Sequence, residues 1–176
     1  MAELTISGDT HPILKDDYAS EWMGIEVLSL GDGHATIRMT LRQEMLNGFG
    51  MAHGGMVFAF GDTAFALACN PAEPDADNIT VAAGVDINFL KPAFRGQVLT
   101  AVANRRASTG RSGLYDVQIY AADPVAPSTP GASAAGESPA AATDTRADTA
   151  AGVTSAPLPG ELIAEFRGRS RTISKK

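Results

Sequence analysis

Asp62 is the one acidic side chain in "LNGFGMAHGGMVFAFGDTAFALACNP", residues 46–71, a stretch otherwise dominated by apolar residues and glycine. A carboxylate taken out of water without a partner is costly or has its pKa pushed upward, so Asp62 requires a partner or a task. His53-Gly54-Gly55, just before it, marks a helix start, where unpaired N–H groups and a partial positive charge await an anion. Two glycines there carry no Cβ to keep a carbonyl oxygen away. That is how an oxyanion hole is built.

Within one helix these parts are too far apart. Asp62 follows Gly55 by two turns, on the same face but about 10 Å along the axis at 1.5 Å per residue. No single carbonyl carbon lies within bonding reach of both. Acting together, they must come from two chains, and a twofold axis between antiparallel copies of the helix brings Asp62 of one toward Gly55 of the other. The plainer readings stay open: the glycines only turn the chain, and Asp62 is capped locally by Thr63 or faces water. Asn47 offers a donor and an acceptor that can hold a water or a carbonyl, although Asn47-Gly48 is also a turn pair, and His53 also suits a helix cap. The three histidines, His11, His34 and His53, lack close ligand spacing, so no metal is expected. No serine sits in a nucleophile elbow, and Cys69 reads as structural.

The elements that must position these groups follow from periodicity. Residues 12–22 read as a short helix. Period-two alternation on both sides of Gly31-Asp32-Gly33, with Ile25, Val27, Ala35, Ile37, Met39 and Leu41 inward, predicts a β-hairpin. Residues 42–53 form a loop. From Gly54 to Cys69 the chain is apolar almost all round, which predicts a buried helix, stopped by Asn70-Pro71. Residues 79–90, 97–108 and 112–122 alternate as antiparallel strands, joined by "KPAFRG" and a tight "TGR" turn. Alternation resumes in "ELIAEFRGRSRTI", with Leu162, Ala164, Phe166 and Gly168 on one side and Ile163, Glu165, Arg167, Arg169 and Arg171 on the other. Between them, residues 123–160 hold no aromatic side chain and are rich in Ala, Pro, Ser, Thr and Gly, too little apolar surface to offset ordering entropy. This insertion is expected to be disordered. One buried helix plus a twisted antiparallel sheet is an α+β arrangement.

The chain has 176 residues, which suits one domain, residues 1–122 and 161–176, carrying the insertion. A net charge of −6 argues against a broad nucleic-acid surface. The single cysteine and a start without a basic-then-apolar leader point to a cytoplasmic setting, and no stretch is long and apolar enough for a membrane helix.

The stretch "NGFGMAHGGMVFAFGDTAFALACN" resembles the signature of the hotdog-fold acyl-CoA thioesterases, most closely the phenylacetic-acid-degradation type. The resemblance continues through "GVDINFLKPAFRGQVLTA", "TGRSGLYDVQIY" and "FRGRSRTI"; the insertion at 123–160 departs from it. It implies a long central helix wrapped by a curved antiparallel sheet, and dimers with shared active sites, often paired into tetramers. The implied substrates are phenylacetyl-CoA and ring-hydroxylated or ring-oxidised relatives, with no cofactor beyond the coenzyme A thioester itself. Carried onto this sequence, it makes Asp62 the acidic catalytic residue and Gly54 and Gly55 the oxyanion-binding amides. Asn47, His53 and Thr63 then orient substrate or water. Coenzyme A carries phosphates, so Lys91, Arg95, Arg111 and the Arg167-Arg169-Arg171 face are candidate contacts, the last three reading more readily as an ordinary solvated strand face. Met45, Leu46, Phe49, Met51 and Phe58 are candidates for an apolar acyl pocket, with Phe58 equally a core residue. The alternatives are a hotdog dehydratase or hydratase, which would pair His53 with Asp62, and a non-catalytic acyl-CoA-binding regulator, which has no need of a carboxylate in an apolar helix.

Overall fold

The computed structural model describes residues 10–73, 75–124 and 159–175; the expectation of disorder for 123–160 falls almost wholly outside them. The chain opens with a 3-10 turn at Pro12–Leu14 and helix α1 at Tyr18–Met23. Strands β1 (Glu26–Gly31) and β2 (His34–Thr40) precede the long helix α2 (Gly54–Cys69). Strands β3 (Asn78–Phe89), β4 (Val98–Thr109), β5 (Ser112–Ala122) and β6 (Glu161–Ser174) follow. All pairings in the sheet are antiparallel, in the order β1-β2-β4-β5-β6-β3. The sheet wraps α2, the architecture the resemblance implies, and β1 and β3 are its edges.

The single helix expected at 12–22 is two pieces. Asp16 takes a positive φ of 61° and Asp17 then caps a new start, its carboxylate accepting from the Ser20 N–H at 3.1 Å. The alternation read in β6 also slips. A register shift opposite Ile119 and Tyr120 turns Ile163 inward, so Ile163 and Ala164 are both buried. Within the loop at 42–53, Gln43–Met45 forms a 3-10 turn that sinks Met45 into the core.

The core lies between α2 and the concave face of the sheet. Phe60 and Phe65 from the helix meet Ile37, Leu99, Ile119 and Phe166 from four strands, all essentially inaccessible to solvent. Helix and sheet approach closely because glycine stands at the contacts. A Cβ on Gly168 would come within 2.7 Å of the Phe65 ring, which is itself held edge-on to Tyr115 at 5.3 Å between centroids. Gly168→Ala is therefore expected to overpack this contact and destabilise the fold by about 1–3 kcal/mol. Urea unfolding should show a lower midpoint at unchanged slope.

The far end of α2 is anchored by Asn70. Its side chain donates to the carbonyls of Ala66 and Thr80 and accepts from the Thr80 N–H, each at 3.0 Å, tying helix and β3 together. The helix is less enclosed than its composition predicts. Val57, Phe60, Gly61, Ala64, Phe65, Leu67 and Ala68 are buried, whereas Gly55, Ala59, Asp62 and Ala66 lie on a face that no other described element of the chain fully covers. Among the described residues no helix is long and apolar enough to cross a membrane.

Candidate active site

The start of α2 is built by the loop before it. Asn47 accepts through Oδ1 from the N–H groups of Phe49 at 2.9 Å and Met51 at 3.3 Å, an Asx-type closure that leaves its amide NH2 without a partner among the described residues. The loop is then pinned from both sides, by the Ala52 N–H to the Ala93 carbonyl and by the His53 N–H to the Met45 carbonyl, each at 2.8 Å. His53 has extended backbone and is the N-cap of α2. Its Nδ1 accepts from the Gly55 N–H at 3.0 Å.

That cap divides the roles of the glycines. The Gly55 N–H is engaged by the imidazole, while among the described residues the Gly54 N–H meets no acceptor. Gly54 borders a cavity of about 360 Å³ whose walls include Met51, Val57, Phe89, Leu90 and Pro92. A free donor at a helix start beside an apolar cavity is a place for an oxyanion whose substituent is hydrocarbon.

Asp62 is half-buried on the uncovered face of α2, with no hydrogen-bond partner among the described residues. Burial pushes its carboxyl above the ordinary aspartate value. Its neighbour Thr63 turns elsewhere: Thr63 Oγ donates to the Ala59 carbonyl at 3.2 Å and lies 3.3 Å from Ser20 Oγ of α1. Local capping of Asp62 by Thr63 does not occur. Thr63 instead links α2 to the Asp17-Ser20 pair, where Ser20 Oγ donates to Asp17 at 2.7 Å.

The candidate binding residues scatter. Met51 and Lys91 line the cavity, and Lys91 is paired at its rim with Glu161. Phe58 packs on Phe166, with ring centroids 5.6 Å apart, and belongs with the core. Phe49 is 86% exposed at the loop tip, away from the cavity. Arg95 reaches Gln43 at 3.4 Å on the surface. Arg111 sits in the β4–β5 turn, where its carbonyl accepts from the Thr172 N–H. In β6 that is some nine residues from Ile163, or roughly 30 Å of strand, so Arg111 cannot reach the cavity of its own chain. On the outer sheet face Arg167 and Arg106 both bind Asp116, and Arg169 binds Asp86. Periodicity hides Phe89, Leu90, Pro92 and Ile163 as cavity residues. The only hint is the adjacent pair Phe89-Leu90, which breaks alternation at a strand end.

Comparison with known proteins gives the family. The family described as the thioesterase superfamily matches residues 49–128. The acyl-coenzyme A thioesterase PaaI of Escherichia coli is 39% identical over 111 residues, 63% of this chain and 76% of the relative. The chain belongs to the thioesterase superfamily. This thioesterase also matches the structure of the E. coli PaaI protein from the phenylacetic acid degradation operon, at TM-score 0.67 and 29% identity over 93% of this chain and 90% of that one. The TT0310 protein of Thermus thermophilus matches at TM-score 0.62 and 25% identity, over 88% of this chain and 97% of that one. The fold is the hotdog fold, and the activity is thioester hydrolysis.

Proposed function

We propose that this thioesterase hydrolyses aryl-acetyl-CoA thioesters, phenylacetyl-CoA and its ring-hydroxylated or ring-oxidised relatives, to free acid and coenzyme A, at sites shared between two copies of the chain. The observation that carries the reading is a half-buried Asp62 and a Gly54 N–H beside an apolar cavity, neither with a hydrogen-bond partner among the described residues. The 39% identical E. coli relative is named an acyl-coenzyme A thioesterase, and its operon supports the aryl-acetyl substrate class.

In this mechanism the thioester carbonyl enters with its oxygen toward the Gly54 N–H and the Asn47 amide, and its acyl group in the cavity. Ionised Asp62 of the other copy either deprotonates water or attacks the carbonyl carbon itself, giving a mixed anhydride that water then opens. The tetrahedral oxyanion is held by the helix start and collapses with release of the thiolate of coenzyme A. His53 keeps the helix start in register rather than moving a proton.

Two surfaces support the twofold assembly. Edge strand β3 has no second strand on its outer side among the described residues; beyond Thr80, whose backbone the Asn70 side chain takes up, and with Ile79 and Val81 exposed, it offers a pairing edge for a second copy. The uncovered stripe of Gly55, Ala59, Asp62 and Ala66 has small side chains that let a partner helix come close. An antiparallel partner would also set its positive helix end near Asp62 and favour the ionised carboxylate.

The test is release of free thiol from a panel of acyl-CoAs, with phenylacetyl-CoA, a ring-hydroxylated relative, linear acyl-CoAs and an enoyl-CoA. Thiol release, fastest from the aryl-acetyl members, is expected. Hydration of the enoyl group without thiol release would overturn the reading in favour of a hydratase.

A further inference from the structure

Phe89 is the last residue of β3 and is 56% exposed, so core packing does not account for its ring. The ring instead lies against the start of α2. A Cβ placed on Gly54 would stand 3.2 Å from Phe89 Cζ, with Cε2 and Cε1 next nearest. The backbone beneath the ring is fixed. Phe89 pairs with Ala164 of β6, and the N–H groups of Leu90 and Lys91 both donate to the Ile163 carbonyl, at 2.8 and 3.2 Å. The ring is thus carried by a clamped strand end to the glycine whose N–H is open.

Phe89 is also the one aromatic residue among those lining the cavity. The other apolar walls, among them Met51, Val57, Leu90 and Pro92, are aliphatic and offer the same non-directional apolar contact to an aryl ring or a linear acyl chain. They cannot tell the two apart by shape of charge. An aromatic ring can, because its negative face and positive edge favour offset or edge-to-face contact with another ring. The sole charged lining side chain, Lys91, is occupied by Glu161.

We infer that Phe89 is a specificity-determining residue, the element that makes this cavity favour an aryl group over a linear acyl chain. The inference rests on the thioesterase reading above and assigns its selectivity to one side chain. Ring–ring geometry contributes a factor of about two to ten in relative affinity beyond buried area. Because the acyl group stays in the cavity through the reaction, the same factor acts on kcat/KM.

The test is the ratio of kcat/KM for phenylacetyl-CoA to that for hexanoyl-CoA in the full chain. Phe89→Leu keeps an apolar side chain of similar reach and is expected to lower this ratio about fivefold. Phe89→Tyr keeps the ring and is expected to hold the ratio within about twofold of wild type. An unchanged ratio in Phe89→Leu overturns the inference, as does an equal fall in Phe89→Tyr. If wild type releases thiol from neither substrate, the proposed function fails on its own account. The same comparison is then made by equilibrium binding of the non-hydrolysable phenylacetyl and hexanoyl thioether analogues of CoA. A fall of about fivefold in their affinity ratio on Phe89→Leu sustains the role of the ring, and no fall overturns it.

Discussion

Asp62→Asn is expected to lower kcat by about 10²–10⁴-fold, the usual contribution of a general base, with little change in fold or in substrate binding. The substitution is nearly isosteric and leaves the half-buried face of α2 filled, so circular dichroism and the unfolding midpoint should match wild type. The loss should fall on kcat rather than KM, because the carboxylate acts on the reacting atoms and not on the remote parts of coenzyme A. The pH profile carries an independent signature. In the proposed mechanism only the ionised carboxylate is active, so rate rises with pH through the Asp62 pKa, which burial in its own chain pushes above the ordinary aspartate value and the partner's helix start draws back. Residual activity in Asp62→Asn should lack this acid limb. Near-normal turnover in the variant would remove Asp62 from the mechanism.

Mixing two inactive proteins should restore activity. Asp62 and the Gly54-Gly55 start of the same helix are separated by about 10 Å along the axis, so the site proposed above draws them from different copies. Asp62→Asn lacks the base, and bulky residues at 54 and 55 obstruct the oxyanion-binding end, where a Cβ on Gly54 already presses on Phe89. A heterodimer of the two carries one intact site and one doubly damaged site. With free exchange at equal concentrations, half the dimers are mixed, and roughly a quarter of wild-type activity should return if the sites act independently. Subunit exchange is followed in parallel by tagging one variant and measuring co-purification of the other. Mixed dimers that form and stay inactive, with both variants folded, would place the whole site within one chain.

Several features were legible in the residues themselves. The extent of α2 follows from the glycines that open it and the Asn70-Pro71 that closes it, and the strands from their period-two patterning, because helix caps and period-two patterns are local and act whatever the rest of the chain does. Asp62 stood out for the same reason: a lone carboxylate in an apolar helix is an energetic exception visible without coordinates of any neighbour. The site around it was not legible, since its parts meet only through tertiary contact. His53 takes the Gly55 N–H and leaves the Gly54 N–H open, a division that depends on one imidazole rotamer. Thr63 turns to Ser20 of α1, forty-three residues away, instead of to Asp62. Phe58 and Phe89 have the same side chain, yet the wrapping of the sheet sends the first to Phe166 and the second to the cavity beside Gly54. Composition alone cannot choose between the core and the cavity wall for two identical side chains; the curvature of the sheet over α2 does.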